Sequence, residues 1–262
     1  GISLNPDVLQ SAETADPVIE MHDEVVGSEV SQVRGEGRDP RGLGSVVPVE
    51  QDADVEVAVA DVAEAERLWI HVDAAYAGSA AMCPEHQWIY GGAETVDSLV
   101  FNPHKWLFTP FDASALYTRR PDLFRRAFSL VPEYLTTPVS GQVVDLMDYG
   151  VQLGRRFRAL KLWWVLRCFG AEGIRTRLRS HISMAADFAD WVDGHPQFER
   201  LAPSPFSVVC FRATPAGIDD TGAIDELNMA LMERVNASGE VYLSHTRLDP
   251  GISLRIAIGN LG

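Results

Sequence analysis

The sequence predicts an α/β protein in which part of a mostly parallel sheet is followed by an α+β C-terminal domain. Three observations predict it. Two apolar runs end abruptly in residues that can do chemistry, Asp73 in the first and Lys105 in the second. Such runs are typical of buried parallel strands, whose ligands lie beyond the carboxyl ends of the strands. Further along, two long helical patterns precede three short strand patterns, which indicates a second domain.

The composition excludes several classes of protein. The chain has 262 residues, of which 46% are hydrophobic and 23% charged, as in ordinary globular proteins. No apolar run reaches the roughly 18 residues of a membrane span, and the N-terminus lacks the pattern of a signal peptide. The cysteines and histidines show no metal-ligand spacing, and three isolated thiols are typical of a reducing compartment. We therefore predict a cytoplasmic protein with no metal and no membrane partner.

The negative charge is concentrated at one end of the chain. Residues 1–66 hold sixteen acidic and three basic side chains and no aromatic residue, whereas residues 67–262 are almost balanced. Neither part offers the basic face that nucleic-acid binding requires. A charged segment without aromatic residues buries too little apolar surface to offset the entropy of ordering. We predict that residues 1–56 form a poorly ordered acidic segment without a buried strand.

Patterned sequence begins at residue 57 and alternates between helix and strand. Strand, crossover and strand in this order imply a right-handed βαβ unit in a largely parallel sheet. Asp73 and Lys105 then lie at the same carboxyl edge of that sheet. The predicted elements are a helix at 57–66, strands at 67–73, 96–101 and 111–118, a helical or irregular crossover at 85–94, and a helix that begins at Pro121.

A long loop at 129–150 separates this region, residues 57–150, from a C-terminal domain, residues 151–262. Gly170 is predicted to stop the first long helix of that domain, and Trp163 and Trp164 are predicted to belong to its core. The sequence ends after a strand, so we expect the closing helix of the domain to be absent. The predicted helices are 154–169, 172–193 and 221–237, and the predicted strands are 207–212, 240–244 and 253–258.

The pairing of Asp73 with Lys105 points to one cofactor. Pyridoxal phosphate enzymes use an amine that forms a Schiff base with the aldehyde, and a carboxylate that keeps the pyridine nitrogen protonated. The chain has twenty arginines but only two lysines, Lys105 and Lys161. An amine next to a strand end is therefore unlike ordinary surface charge in this protein.

Several motifs resemble those of the group II pyridoxal phosphate decarboxylases, above all the aromatic L-amino-acid decarboxylases that act on tyrosine, tryptophan or dopa. The motifs "HVDAAYAG", "NPHKWL", "FDASALY", "PEYL", "LGRRFRALKLWW" and "LRIAIGN" occur in the order of that family, and the resemblance covers about residues 59–262. It implies a fold-type I transferase fold, the aspartate aminotransferase type, with part of the large domain and the small domain. It also implies a homodimer in the complete protein, and no counterpart of residues 1–56.

The resemblance implies a role for five residues. Lys105, in a site buried by its flanking strand and Trp106, would form the Schiff base, and Asp73 would pair with the pyridine nitrogen. Ala75 would lie against the ring of the cofactor. His104 would line the pocket, although a purely structural histidine is the alternative. Tyr134 would protonate the substrate α-carbon after CO2 has left.

The resulting prediction is decarboxylation of an aromatic L-amino acid to its amine. One alternative is a catalytically inactive remnant or interaction protein with the same fold. A second is an aromatic aldehyde synthase, which Tyr134 disfavours because such relatives tend to carry phenylalanine there. Leu153, Gly154 and Arg155 match the segment that lines the substrate cleft of the family, or else they form an ordinary solvated helix start.

Overall fold

The computed structural model describes residues 18–22, 46–48, 60–63, 65–129 and 144–259, and within them two sheets are present. The strands are β1 (Val18–His22), β2 (Val46–Pro48), β3 (Trp69–Asp73), β4 (Ser98–Phe101), β5 (Ala115–Thr118), β6 (Phe198–Arg200), β7 (Val208–Ala213), β8 (Ser244–Leu248) and β9 (Gly251–Ala257). The α-helices are α1 (Pro103–Trp106), α2 (Pro121–Phe128), α3 (Arg158–Gly194) and α4 (Thr221–Ser238). Three 3₁₀ helices cover Ala77–Met82, Pro84–Tyr90 and Leu146–Tyr149, and residues 60–63 and 65–66 are also helical.

The first sheet has the strand order β2-β1-β3-β4-β5. Its first four strands are parallel, which confirms the predicted parallel arrangement of β3 and β4. The third predicted strand is shorter than expected, and β5 runs antiparallel to β4. The reason lies in residues 102–114, which stay at one end of the sheet: the hydroxyl of Ser114 donates to the side-chain oxygen of Asn102. The chain therefore re-enters the sheet from the edge at which β4 left it.

The first two strands lie in the segment that was predicted to contain none. β1 pairs in parallel with β3, so that His22 stands beside Asp73, and β2 pairs with the other side of β1. The prediction of a strandless segment at 1–56 is therefore wrong. A short parallel strand is stabilised by backbone pairing with its neighbours, and composition averaged over a long window does not detect it. The predicted poor order of the rest of this segment concerns residues outside the described ranges.

The main core joins the first sheet to the C-terminal domain. It contains Trp106 and Leu107 next to α1, Ile174 and Leu178 on α3, and Phe206 before β7. Small residues of the first 3₁₀ helix, Ala77 and Ala80, complete it on the side of β3. The segment that carries the candidate lysine is thus packed directly against the long helix of the other domain.

Helix α3 is interrupted at Gly170, as the sequence predicts. The backbone of Gly170 has φ 64° and ψ 169°, a conformation that is essentially restricted to glycine. The part of α3 beyond the break is buried along one face through Ile174, Leu178, His181 and Ala185, whose spacing is that of a helix packed on a core.

The part of α3 before the break is largely uncovered. Trp163 is 50% exposed and Trp164 is 60% exposed, so their predicted place in a helix core is wrong. The helical period identifies an apolar face but does not tell whether anything covers it. We call the exposed apolar residues of this region the apolar strip; they are Val151, Leu153, Phe157, Leu160, Trp163 and Trp164.

The second sheet has the order β6-β7-β9-β8 and is antiparallel throughout. Helices α3 and α4 cover one face, where Val192, Phe211 and Leu254 form a second core cluster. Strands β7 and β9 and helix α4 lie near their predicted positions. The strand predicted at 240–244 is wrong in position, because β8 begins only at Ser244, and β6 has no counterpart in the prediction.

Candidate active site

Asp73 is the last residue of β3 and stands beside Val100 of β4 in the parallel register. Its side chain is half-buried. The Oδ1 atom accepts a hydrogen bond of 2.9 Å from the backbone N–H of Ala75, which orients the carboxylate at the end of the strand. A carboxylate is therefore held at the carboxyl edge of the sheet, as predicted.

Lys105 lies on the single turn of helix α1, four residues after β4 ends. Its side chain is exposed, whereas the next residue, Trp106, is only 1% exposed. The prediction of a buried lysine site is therefore wrong for the amine in this chain. Successive residues of a helix point about 100° apart, so a turn that buries Trp106 in the core directs its neighbour elsewhere.

A backbone hydrogen bond joins the two motifs directly. The N–H of Asn102 donates to the carbonyl oxygen of Ala75 over 3.1 Å. Asn102 precedes Lys105 by three residues and Ala75 follows Asp73 by two. The carboxylate and the amine, 32 residues apart in sequence, are therefore carried by segments in contact at the same sheet edge. Ala75 itself is 3% exposed, so its methyl group stands in a packed environment.

His104 contacts the backbone of the loop after α1. Its Nδ1 lies 2.6 Å from the carbonyl oxygen of Ala113 and 3.0 Å from the N–H of the same residue. Both contacts tie the ring to the backbone of Ala113 through the same nitrogen. The ring also meets Phe111 edge-on, with centroids 4.9 Å apart. The structural role left open by the sequence is thus present, and its role beside a cofactor stays a prediction.

A cationic pocket of about 260 Å³ lies between the same loop and the start of α3. Asp112 accepts hydrogen bonds from Arg158 at 2.8 Å and from Arg156 at 3.0 Å, and the Nζ of Lys161 lies 3.8 Å from its Oδ1. The hydrogen bond from Arg158 holds the pKa of the Asp112 carboxyl below its usual value. Phe157, Leu160 and Trp164 supply the apolar part of the lining.

The structure does not place two sets of predicted residues in the candidate site. Tyr134 lies outside the described residues, so its predicted role stays a prediction. Leu153, Gly154 and Arg155 are described and exposed, but they are not among the residues that line the pocket. Within the described ranges, no cluster of three metal-ligating side chains occurs. No described helix has the length and hydropathy needed to cross a bilayer.

Three residues hold the site together, Tyr76, Trp106 and His181. Trp106 was predicted from the sequence to bury the lysine site, but Tyr76, His181 and the contacts between the three were missed. The rings of Tyr76 and Trp106 stack with centroids 5.0 Å apart, and the indole Nε1 of Trp106 donates to Nδ1 of His181 over 3.1 Å. Tyr76 belongs to the motif "HVDAAYAG" and could have been suspected from it. His181 is a lone histidine within a helix and carries no local signal.

Comparison with known proteins extends these observations. The model of the family described as "Pyridoxal-dependent decarboxylase conserved domain" matches residues 43–214. A tryptophan decarboxylase of Camptotheca acuminata is 44% identical over 203 residues, and a phenylacetaldehyde synthase of a Rosa hybrid cultivar is 43% identical over 210. Each match covers 77% of this chain and 41% of the relative, so the chain spans about two fifths of their length.

Among solved structures, that of Oryza sativa TDC with PLP and tryptamine superposes with a TM-score of 0.77 at 32% identity. The superposition covers 97% of this chain and 62% of that one, and it confirms the predicted fold-type I architecture. The family match begins at residue 43 rather than near 59, so the expectation that residues 1–56 have no counterpart in the family is wrong for their last part. Because the family model covers more than half of the sequence, the chain belongs to the pyridoxal-dependent decarboxylase family.

Proposed function

We propose that this chain carries the lysine and aspartate of a pyridoxal phosphate site that decarboxylates an aromatic L-amino acid to its amine. The observation that carries the proposal is the hydrogen bond between Asn102 and Ala75, which joins the Lys105 segment to the Asp73 segment. Without that junction, the two motifs would be separate features of neighbouring strands.

The residues at this edge fit the cofactor by their chemistry. Lys105 offers an exposed primary amine, and Asp73 offers a carboxylate that a backbone N–H already orients. Ala75, which is 3% exposed, adds no bulky side chain to this edge. When bound, pyridoxal phosphate supplies an electron sink for the electrons that are left when CO2 departs.

Each residue of the chain then has a separate task. The Nζ atom of Lys105 would hold the cofactor through its aldehyde group. Asp73 would keep a proton on the ring nitrogen by charge pairing, because an opposite charge nearby favours the protonated form. Tyr134 would deliver a proton from its hydroxyl to the substrate α-carbon. His104, tied to Ala113 through Nδ1, would line the pocket beside the cofactor.

An aromatic substrate is supported by the names of the relatives. The Camptotheca acuminata protein is a tryptophan decarboxylase, and the Oryza sativa structure contains tryptamine, the amine of tryptophan. A tyrosine decarboxylase of Petroselinum crispum is also 44% identical. The shared feature of these compounds is an aromatic side chain on an α-amino acid, so we propose the class and not one member of it.

The test is release of CO2 from carboxyl-labelled tryptophan, tyrosine and dopa by the purified chain with added pyridoxal phosphate. We expect release with at least one of the three and none from Lys105→Arg, which keeps the charge but cannot form the bond to the aldehyde. Lys161→Arg serves as the matched control and should behave like the unchanged chain. Equal release from the two variants would contradict the proposed role of Lys105.

An aldehyde synthase is the second candidate because the Rosa phenylacetaldehyde synthase is nearly as similar as the Camptotheca decarboxylase. We expect the amine as the product, and we expect Tyr134→Phe to divert product toward the aldehyde, because the α-carbon would lose its proton donor. The measurement is product analysis together with oxygen consumption, since only aldehyde formation uses oxygen. Unchanged amine output from Tyr134→Phe would remove this residue from the mechanism.

A catalytically inactive protein of the same fold is the third candidate, and the apolar strip is the observation in its favour. Val151 is 91% exposed and Phe157 is 75% exposed, which is more typical of a contact surface than of a free one. A chain that takes up pyridoxal phosphate at Lys105 but releases no CO2 would support this candidate over the enzyme.

We further infer a homodimer for the complete protein and a cytoplasmic location. The apolar strip supports the first, since exposed apolar surface of this kind favours association. The second is supported by the three cysteines, none of which forms a disulfide within the described residues, and Cys83 and Cys210 are buried. Sedimentation of the purified protein and localisation of a tagged copy are the respective tests.

A further inference from the structure

We propose that His181, on the far part of α3, is a positioning residue for Lys105. It would act by accepting a hydrogen bond from the indole of Trp106 and so fixing helix α1, which carries the lysine. The functional meaning of this inference rests on the proposed role of Lys105, whereas the hydrogen bond itself does not depend on a cofactor.

The contact between Trp106 and His181 assigns the protonation of the imidazole. The Nε1 of Trp106 lies 3.1 Å from Nδ1 of His181, and an indole N–H can only donate. Nδ1 of His181 must therefore carry a lone pair, and the proton of the neutral ring is on Nε2. Trp106 is 1% exposed and His181 is 4% exposed, so water does not replace this partner.

Helix α1 depends on this anchor because it is too short to hold itself. It comprises only Pro103–Trp106, and a single helical turn is unfavourable without tertiary contacts. Trp106 is its main buried side chain and the residue directly after Lys105. A displaced indole would therefore move the backbone from which the lysine side chain extends.

The same indole ties the lysine segment to the aspartate segment. It stacks on Tyr76, which lies three residues beyond Asp73, with ring planes 23° apart. The hydroxyl of Tyr76 lies 2.5 Å from Oγ of Ser207 and accepts the backbone N–H of Ser207 over 3.1 Å. Both segments are thus anchored in the C-terminal domain, one through Ser207 and one through His181.

His181 itself is firmly placed. It lies on the buried face of α3 between Leu178 and Ala185, both 0% exposed. The ring of Phe108, two residues beyond Trp106, meets the imidazole edge-on with centroids 5.8 Å apart. The part of α3 beyond Gly170 therefore serves as a fixed support, and the imidazole nitrogen is the point at which that support meets α1.

The test compares His181→Asn with His181→Leu in the full chain. The amide oxygen of asparagine can occupy the position of Nδ1 and accept the indole N–H, whereas leucine fills space but accepts nothing. The first measurement is hydrogen exchange of peptides that cover 102–109, with β9 as the internal reference. We expect exchange at 102–109 to rise at least tenfold in His181→Leu and less than twofold in His181→Asn, with β9 unchanged in both.

The second measurement is the ratio of label on Lys105 to label on Lys161 after reaction with pyridoxal phosphate and reduction with borohydride. We expect His181→Leu to lower this ratio at least fivefold and His181→Asn to keep it within twofold. Trp106→Phe keeps a stacking ring and removes the donor, so it should reproduce the effect of His181→Leu. When His181→Leu is added to Trp106→Phe, the labelling ratio should change by less than a further twofold.

Three results would overturn the inference: equal effects of the asparagine and leucine variants, parallel acceleration of exchange at 102–109 and β9, or normal exchange at 102–109 in Trp106→Phe. If His181→Leu fails to fold, Trp106→Phe decides the matter by the same measurements. Absence of label on Lys105 in the unchanged chain would count against the proposed function, and the exchange data would still decide the role of His181.

Discussion

Two aromatic regions of this chain differ in almost every physical respect. The buried cluster of Tyr76, Trp106 and His181 has its rings stacked and its indole and phenol groups hydrogen-bonded. The apolar strip contains aromatic residues of the same size, but they are exposed, and the rings of Trp163 and Trp164 meet edge-on with centroids 5.1 Å apart. The chain therefore contains within itself what positions Lys105, whereas the apolar surface beside the cationic pocket is left uncovered.

The motif residues of this chain therefore fall into two groups, one near Lys105 and Asp73 and one near the start of α3. Those that hold the lysine and aspartate segments together complete their contacts inside the described part of this chain. Those near the start of α3 belong to an equally recognisable motif, "LGRRFRALKLWW". Three of its charged members pair with Asp112, whereas Phe157, Trp163 and Trp164 remain at least 50% exposed. The described residues thus fix the local geometry of the candidate site, but those same residues leave the neighbouring apolar strip exposed.

The largest expected change in stability comes from removing the buried tryptophan, and removal of an exposed tryptophan is the matched control. Trp106→Ala should lower the free energy of unfolding by about 3–5 kcal/mol, because it leaves a large cavity and removes the donor to His181. Trp164→Ala should change it by no more than about 0.5 kcal/mol, as for exposed positions in general. Urea unfolding of both variants measures the contrast. Similar losses in the two would show that the regions do not differ as described.

A smaller loss of stability is expected from a substitution at Gly170, the break in α3 between the exposed part of the helix and the packed part. Gly170→Ala should cost about 1–3 kcal/mol, because alanine is strained at φ 64° and ψ 169°. The cost would come from the backbone alone, since no atom lies within 4 Å of the position of an added Cβ.

Gly173→Ala is the matched control for this substitution. An added Cβ there would make only ordinary contacts, at 3.5 Å and beyond. Alanine is the better helix former by about 1 kcal/mol, so this variant should be neutral or more stable. Thermal unfolding measures the stability of both variants. If Gly170→Ala stabilised the protein, residue 170 would have ordinary helical backbone angles and α3 would be continuous.

The smallest effect concerns the salt bridge that joins the second 3₁₀ helix to α3. Arg179 hydrogen-bonds both carboxylate oxygens of Glu85, at 2.6 and 2.9 Å, and lowers the pKa of Glu85 from 4.5 to about 2. A lowered pKa in the folded state stabilises the fold above the ordinary pKa, and this contribution is lost as the pH falls through the folded value. The unchanged chain should therefore have a larger free energy of unfolding than Glu85→Gln. This difference should be constant near pH 7 and shrink between about pH 4.5 and 2.

Urea unfolding at several pH values measures this dependence. Glu233→Gln is a suitable control, because it removes an exposed carboxylate that makes no salt bridge within the described ranges. A stability difference for Glu85→Gln that stayed constant down to pH 2 would contradict the depressed pKa.

The sequence was informative wherever the structural cause is local. The contact between the Asp73 segment and the Lys105 segment was predictable because β3 and β4 are neighbouring parallel strands. The break at Gly170 was predictable because only glycine readily adopts the required backbone conformation. The same reasoning failed for β1, which pairs with β3 across 51 residues and is only five residues long within an acidic segment.

Other features depend on distant contacts that no local pattern encodes. His181 meets Trp106 across 75 residues, and a single buried histidine in a helix has no distinctive sequence signal. The exposure of Trp163 and Trp164 was missed because helical periodicity describes a face and not its covering. The exposure of Lys105 has a similar origin, since burial of its neighbour does not imply burial of the amine.

The most direct test of the account is reaction of the purified chain with pyridoxal phosphate, followed by borohydride reduction and peptide mass spectrometry. The chain has only Lys105 and Lys161 as side-chain amines, so the two sites are easily distinguished. We predict stoichiometric modification of Lys105 and at most slight modification of Lys161. Equal labelling of both lysines, or none at Lys105, would contradict the claim that this chain positions the amine of a pyridoxal phosphate site.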